Sequence, residues 1–420
     1  MAGPPLPTGE PAPAQPGRAD ERPRRFAGQR QDVTVEGTPA AAEGADVSAA
    51  TRTRPRGALA LASVGVAFVA ACSGGGGPPT PPPPPASATS APRSPAASAP
   101  ARTPDLSAPE TVATGLDVPW GLAFLSDGSA LVAERNSGRI LQVRPGGAAP
   151  REVYRMPGVV HAGESGLLGL AVAPDHDRTG WVYAYFTAEH DNRIVRFRPG
   201  SSSTPEVIFK GIDKANFHDG GRIAFGPDGM LYAGTGDAGD RPSAQDPADP
   251  NGKILRLTPD GAPAPGNPRG TPVWSLGHRN VQGLAWSADG TMYATEFGQN
   301  RFDEVNIIRP GNNYGWPEVE GTSDDTRYVN PLVTWSTTEA SPSGAAIAGD
   351  TLYVAALRGR RLWTVPLHGG APKAELTGTY GRLRTVAVAP DGALWLTTSN
   401  RDGRGDPVAG DDRILRFPAR

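Results

Sequence analysis

The stretch RIAFGPDGMLY (222–232) reads as a β-hairpin, with one apolar run, a Pro-Asp-Gly turn and a second apolar run ending in an aromatic residue. Asp and Gly reach the positive φ angles that tight hairpin turns require, which makes such a turn between apolar runs a strong local signal. The same phrase recurs as GLAFLSDGSALV (121–132), LLGLAVAPD followed by WVYAYF (167–186), GLAWSADGTMY (283–293), AAIAGDTLY (345–353) and TVAVAPDGALW (385–395). Recurrence at roughly 40–60 residues is the spacing of propeller blades, small antiparallel sheets that cannot bury both faces alone. Six copies predict an all-β chain whose residues 106–420 form one six-bladed β-propeller, acting as a monomer. A propeller gathers its inner strands and their loops around one axis, so chemistry is sought in those loops rather than in the fold.

The first quarter of the 420-residue chain is different in kind. Residues 1–50 carry too little apolar surface to offset the entropy of folding and read as a disordered extension or a start codon assigned too early. Arg52, Arg54 and Arg56 then precede the apolar run GALALASVGVAFVAA (57–71) and Cys72, the only cysteine. A basic region and an apolar run of that length describe a secretory signal, since a membrane span needs ~20 apolar residues. Val69-Ala70-Ala71-Cys72 resembles a bacterial lipobox, so residues 51–72 read as a lipoprotein signal with Cys72 as the lipidation site. The alternative is a buried helix whose cysteine packs. Residues 73–105, rich in Gly, Pro, Ser and Ala, form a tether. The expectation is an exported protein on the extracytoplasmic side, held to the membrane by a lipid anchor, with no disulfide in the folded domain. A formal net charge of −2 offers no basic field for nucleic acid, which is excluded as a partner.

Three strings are polar or Gly-dense where blade packing needs neither: AGESGLLGLAVAPD (162–175), FHDGGRIAFGPDGMLYAGTGDAGD (217–240) and the segment 275–321 beginning SLGHRNVQGLAW. Folding the second as a hairpin brings its ends together, so His218 and Asp237 become neighbours. A carboxylate beside an imidazole fixes its tautomer and raises its basicity, the usual construction of a general base. The bland reading is that each residue closes a turn. His278-Arg279-Asn280 precedes another inner strand at the same mouth. Arg358, Arg382 and Arg384 lie just outside later apolar runs, and Arg382 and Arg384 alternate with Leu383, so an extended strand turns both to one side. Arginines gathered at blade ends suit a small polyanion.

As a set, GESGLLGLA, HDGGRIAFGPDGMLY, GHRNVQGLAW and FDEVNIIRPGNNYGWP resemble the soluble pyrroloquinoline-quinone-dependent aldose sugar dehydrogenases, the glucose/sorbosone dehydrogenase family, over about residues 108–418. The resemblance implies His218 as catalytic base and Asp237 as the carboxylate that orients it. It implies Arg279 and Asn280 beside the reactive quinone oxygen, and Arg358, Arg382 and Arg384 holding the cofactor's carboxylates. It further implies Gly298 and Gln299 as backbone-carbonyl ligands of a calcium ion. Glu164 stands where the best-known member of the family has Gln in contact with cofactor and substrate, which sets a carboxylate near the cofactor's own.

The implied reaction oxidises the C1 hydroxyl of an aldose to a lactone, with electrons passing to an unknown acceptor. No CxxCH motif provides for covalent haem, and no GxGxxG string opens a βαβ unit. Two rivals remain at this stage. A metal-dependent lactonase would need several carboxylates on one ion, but Asp228, Asp289 and Asp391 sit in Asp-Gly turns, where the side chain caps its own backbone. A non-catalytic propeller binding a glycan or partner is the other, and Glu164 favours it.

Overall fold

In the computed structural model, which describes residues 103–420, six four-stranded antiparallel sheets each follow the order innermost to outermost along the chain, except the last. The innermost strands are Pro119–Phe124, Leu167–Val172, Ile223–Phe225, Val281–Trp286, Pro342–Ala348 and Leu383–Val388, one for each repeated phrase, and define blades 1 to 6. Blade 6 is completed by the other end of the chain: Glu110–Ala113 pairs with Ile414–Phe417 as its outermost strand. This closure joins the first and last blades, and Pro104 bridges Ala419 beyond it. The six-bladed expectation is met.

Local chemistry explains the hairpins. In blades 1, 3, 4 and 6 the turn glycine has a φ of 80°, 75°, 84° and 83° at Gly128, Gly229, Gly290 and Gly392. The aspartate before each accepts the backbone N–H two residues on, at 2.9 to 3.0 Å for Asp127, Asp228, Asp289 and Asp391. These are turn-closing side chains, as their sequence context suggests. Blade 2 departs from the phrase: one turn of helix, His176–Thr179, replaces the Asp-Gly turn and ends at Gly180, whose N–H donates to the His176 carbonyl.

Alternation in the strands puts both faces of every sheet to use. On Leu231–Gly234, Leu231 and Ala233 enter the core between blades 2 and 3, whereas Tyr232 enters the core between blades 3 and 4. One such apolar core fills each of the six blade junctions. Burying one large apolar side chain there is worth about 1.5–3 kcal/mol, so the repeated phrase stabilises the ring through blade contacts rather than within single blades. Near the axis the backbones themselves meet. A Cβ on Gly169 would lie 2.2 Å from the Gly221 carbonyl oxygen, so only glycine permits the approach of blades 2 and 3. The equivalent position is Gly121, Gly283 and Gly344 in three other blades, but Arg222 in blade 3 and Thr385 in blade 6.

Among the described residues no helix is long and apolar enough to cross a membrane. The signal, Cys72 and almost all of the tether lie outside the described residues.

Candidate functional site

The loops entering the innermost strands converge at one end of the axis, and the candidate residues singled out in the sequence gather there. Blade 3 supplies the His218–Asp237 pair. Its hairpin ends meet, and His218 Nδ1 lies 2.6 Å from Asp237 Oδ1. His218 occupies the left-handed region with a φ of 60°, a conformation that costs an ordinary residue of order 1–3 kcal/mol. Two contacts hold it there. Glu164 Oε2 accepts its backbone N–H at 3.0 Å, and the Gly236 backbone packs against its carbonyl so closely that a Cβ would have no room.

Asp237 is buried and fully committed. Oδ1 also accepts the Gly239 N–H at 2.9 Å, and Oδ2 accepts the Trp316 indole N–H at 2.8 Å. Burial alone would raise its pKa; the hydrogen bonds from His218, Gly239 and Trp316 outweigh it and hold the carboxyl below the usual aspartate range. An ionised, immobile Asp237 fixes the proton on His218 Nδ1 and leaves Nε2 free to accept one. The His218 side chain is 15% exposed, enough for Nε2 to meet a substrate.

Arg279 adjoins this pair. Its Nη1 donates to the Phe297 carbonyl at 3.1 Å, its guanidinium lies 5.4 Å from the centre of the Trp316 ring, and its Nε has no partner among the described residues. Burial lowers its pKa, opposed by Asp237 and Glu164. Asn280 is buried and structural as well as polar: Oδ1 accepts the Gly220 N–H at 3.0 Å, and Nδ2 faces Glu164 Oε2 at 3.4 Å. Its neighbour His278 turns away into the protein, bonded to Ser275 and stacked on Tyr314.

A cavity of 330 Å³ opens beside these residues, lined by Arg358, Arg382, Arg384 and Arg404 together with Glu164, Phe297, Ser341 and Leu357. Asp402 holds Arg382 through Nε and Nη2 at 2.9 and 2.8 Å. Arg384 donates to Gln282 Oε1 at 2.7 Å, and burial pushes its pKa down to about 9. Its Nε has no partner among the described residues. Arg358 is exposed and forms no ion pair among the described residues. Four arginines face one glutamate across this space, and donors without acceptors border it. The donor set fits a planar polyanion with several carboxylates, and so fits pyrroloquinoline quinone.

Glu164 is not the electrostatic conflict the sequence suggested. Arg404, from the last blade's loop, donates to its Oε1 at 3.0 Å, and despite burial this partner keeps the Glu164 carboxyl ionised, below its usual range. That removes the feature favouring a non-catalytic propeller. For the lactonase, no group of three or more His, Cys, Asp or Glu among the described residues is arranged to hold a metal ion.

Gly298 and Gln299 lie in a tight loop whose N–H groups turn inward. Glu320 Oε1 accepts the N–H of Gln299, Asn300, Arg301 and Phe302 at 2.7 to 3.1 Å, and Asp303 Oδ1 accepts that of Gly298 at 2.9 Å. The carbonyls of Gly298 and Gln299 accept no hydrogen bond from a described residue, so they remain as hard oxygen donors suited to calcium.

Trp316, Asp402 and Arg404 were missed as site residues by sequence reasoning. Trp316 lay inside the third polar string, and Asp402 and Arg404 lie in NRDGRGD (400–406), a Gly- and Asp-rich string of the same character in blade 6.

Comparison with known proteins identifies the family. Residues 116–415 match the family model described as Glucose / Sorbosone dehydrogenase. The solved pyrroloquinoline-quinone-bound aldose sugar dehydrogenase of Streptomyces coelicolor is 53% identical and superimposes with a TM-score of 0.72, over 74% of this chain and 97% of that one. Aldose sugar dehydrogenase YliI of Escherichia coli K12 is 27% identical over 337 residues, covering 70% of this chain and 90% of its own. Quinoprotein glucose dehydrogenase B of Acinetobacter calcoaceticus is 31% identical over 259 residues, 52% of this chain, which spans about half (54%) of that relative's length. The chain belongs to the glucose/sorbosone dehydrogenase family.

Proposed function

We propose that this protein is a quinoprotein dehydrogenase that oxidises the C1 hydroxyl of an aldose to the lactone, with pyrroloquinoline quinone and calcium as cofactors. The observation that carries the reading is the His218–Asp237–Trp316 hydrogen-bond chain standing beside a cavity of arginines. When bound, the quinone supplies the two-electron oxidant for the C1 hydride, and calcium acts on it as a Lewis acid. The rest is the chain's own work. His218 Nε2 takes the proton of the C1 hydroxyl, Asp237 stabilises the imidazolium that forms, and Trp316 holds Asp237 in place. Arg279 would set its guanidinium beside the bound oxidant, where a positive charge favours its reduction. Arg358, Arg382, Arg384 and Arg404 would hold the quinone's carboxylates, and the Gly298 and Gln299 carbonyls would hold a calcium ion. Asn280 and Glu164 shape the wall between base and arginines. Electrons then leave to an external acceptor.

The test is His218→Gln. Sugar-dependent reduction of an artificial acceptor should fall by ~10²–10⁴-fold while titrated quinone still binds. A variant within about twofold of wild type would remove His218 from the mechanism.

The lipobox sequence supports an extracytoplasmic lipoprotein with residues 51–72 as signal, 73–105 as tether and 106–420 as the catalytic domain. Cys72→Ser should move the protein out of the membrane fraction or leave an uncleaved precursor. Wild-type protein with an unacylated N-terminus free in solution contradicts the anchor.

A further inference from the structure

Arg222 does not line the arginine cavity, yet it is bonded to the residues that hold Arg384 there. It stands where four other blades have glycine and is only 7% exposed. Its Nε donates to the Gln282 backbone carbonyl at 2.7 Å, its Nη2 to Thr385 Oγ1 at 3.0 Å, and its guanidinium lies 4.2 Å from the centre of the Trp120 ring. One side chain of blade 3 thus ties together blades 4, 6 and 1 at the axis.

Each of those partners also bears on Arg384. While the Gln282 carbonyl accepts from Arg222, its side-chain Oε1 accepts from Arg384 Nη1 at 2.7 Å and from Ser343 Oγ at 3.0 Å. Thr385 follows Arg384 on the same strand, and its hydroxyl donates to the Trp120 carbonyl at 2.5 Å. The Arg384 guanidinium in turn lies 5.7 Å from the centre of the Trp120 ring. Arg384 depends on this support, because Asp402 is committed to Arg382 at 2.8 and 2.9 Å and approaches Arg384 Nη2 only to 3.9 Å. No carboxylate among the described residues pairs with Arg222. Burial pushes both guanidinium groups down to about 9, so both remain cationic at neutral pH. Two buried cations on one indole ring are costly until an anion reaches them, and the cavity in front of Arg384 is where an anion can enter.

We propose that Arg222 is a positioning residue for the cofactor cavity: by gripping Gln282, Thr385 and Trp120, it fixes the direction in which Arg384 presents its guanidinium to a carboxylate of the quinone. The inference rests on the quinone reading of that cavity. Since Arg222 is not part of the cavity wall, its effect passes through Arg384.

The experiment is titration of pyrroloquinoline quinone, with calcium present, into wild type, Arg222→Met, Arg384→Leu and the double variant, followed by the quinone absorbance. Arg222→Met should weaken binding about tenfold, the lower end of what a charge-assisted hydrogen bond contributes. Arg384→Leu should weaken it at least as much. In that background Arg222→Met should add less than about twofold, because nothing is left for it to position. In Arg222→Met saturated with quinone, the Michaelis constant for glucose should stay within about twofold of wild type. As Arg222 also ties blades together, Thr385→Val provides a second variant that keeps the side-chain shape and the cation and removes only the hydroxyl; it should weaken quinone binding about threefold, as loss of one ordinary hydrogen bond does. A purely structural role would lower the denaturation midpoint of Arg222→Met and leave its quinone affinity unchanged. That result, wild-type affinity in Thr385→Val, or fully additive losses in the double variant would each overturn the proposal and leave the quinone site standing. Wild type that binds no quinone would overturn both.

Discussion

Replacing Asp237 with Asn tests how the base is built. The carboxylate accepts from three donors, the His218 ring, the Gly239 N–H and the Trp316 indole N–H, at 2.6, 2.9 and 2.8 Å. An amide has one oxygen and one NH₂, so in either orientation it turns a donor toward at least one of those donors. With the oxygen toward His218 and Gly239, the Trp316 N–H is left buried without an acceptor, at a cost of about 1–3 kcal/mol. With the oxygen toward Trp316, the NH₂ faces His218 Nδ1 and favours the tautomer whose proton sits on Nε2, where the substrate proton must go. Both arrangements also remove the negative charge that stabilises the imidazolium. The combined effect should approach loss of the base itself, a fall in kcat of ~10²–10⁴-fold. Quinone affinity should stay within about threefold, since the cavity arginines are untouched. The assay is steady-state turnover of glucose with an artificial acceptor, on enzyme whose quinone content is measured by titration. A fully loaded Asp237→Asn variant with kcat within about twofold of wild type would refute the orienting role.

Other outcomes follow from the same geometry. Replacing Arg382 and Arg384 together with Leu should weaken quinone binding by several kcal/mol, as charge-assisted hydrogen bonds contribute roughly 1.5–3 kcal/mol each, while the Michaelis constant for sugar changes far less; an unchanged quinone titration contradicts their role. Asp219 is buried, and burial raises its pKa to about 6 despite hydrogen bonds from Asn192, Ser165 and the Ala215 N–H. A carboxyl raised in the folded state binds more protons folded than unfolded, so the stability it contributes is present below the unfolded value of 3.8 and is lost as pH rises through about 6. In denaturant melts, the stability of wild type relative to Asp219→Asn should therefore fall by about 3 kcal/mol across that window, and parallel pH profiles would contradict this.

Much of the molecule was legible because its determinants are local. An Asp-Gly turn and the alternation beside it specify a hairpin within a dozen residues, and one hairpin repeated six times leaves few ways to bury both faces. His218 and Asp237 were legible as a pair because they close the two ends of one such hairpin. Arg382 and Arg384 were legible because strand alternation turns both to one side. What escaped depends on ring closure. Trp316 meets Asp237 across 79 residues of chain, and Arg404 meets Glu164 across 240; no periodicity links them, since only the curvature of the blades brings them together. The pairing of ionised Glu164 with Arg404 was hidden for that reason, and so was the position of Arg222, whose replacement of a glycine matters only at the axis. The helical turn in blade 2 escaped for a different reason: its Asp175 matches the turn aspartate of the phrase, but the next residues continue as His-Asp-Arg-Thr with no glycine until Gly180.

The most direct test of the central claim is the absorbance spectrum of the protein loaded with stoichiometric pyrroloquinoline quinone and calcium, followed without oxygen after adding glucose. The account predicts rapid conversion of the oxidised quinone spectrum to the reduced one, with one lactone formed per quinone, and none of this in His218→Gln or without calcium. A quinone that binds and stays oxidised in the presence of glucose and other aldoses, or a protein that binds no quinone at micromolar concentration, would contradict it.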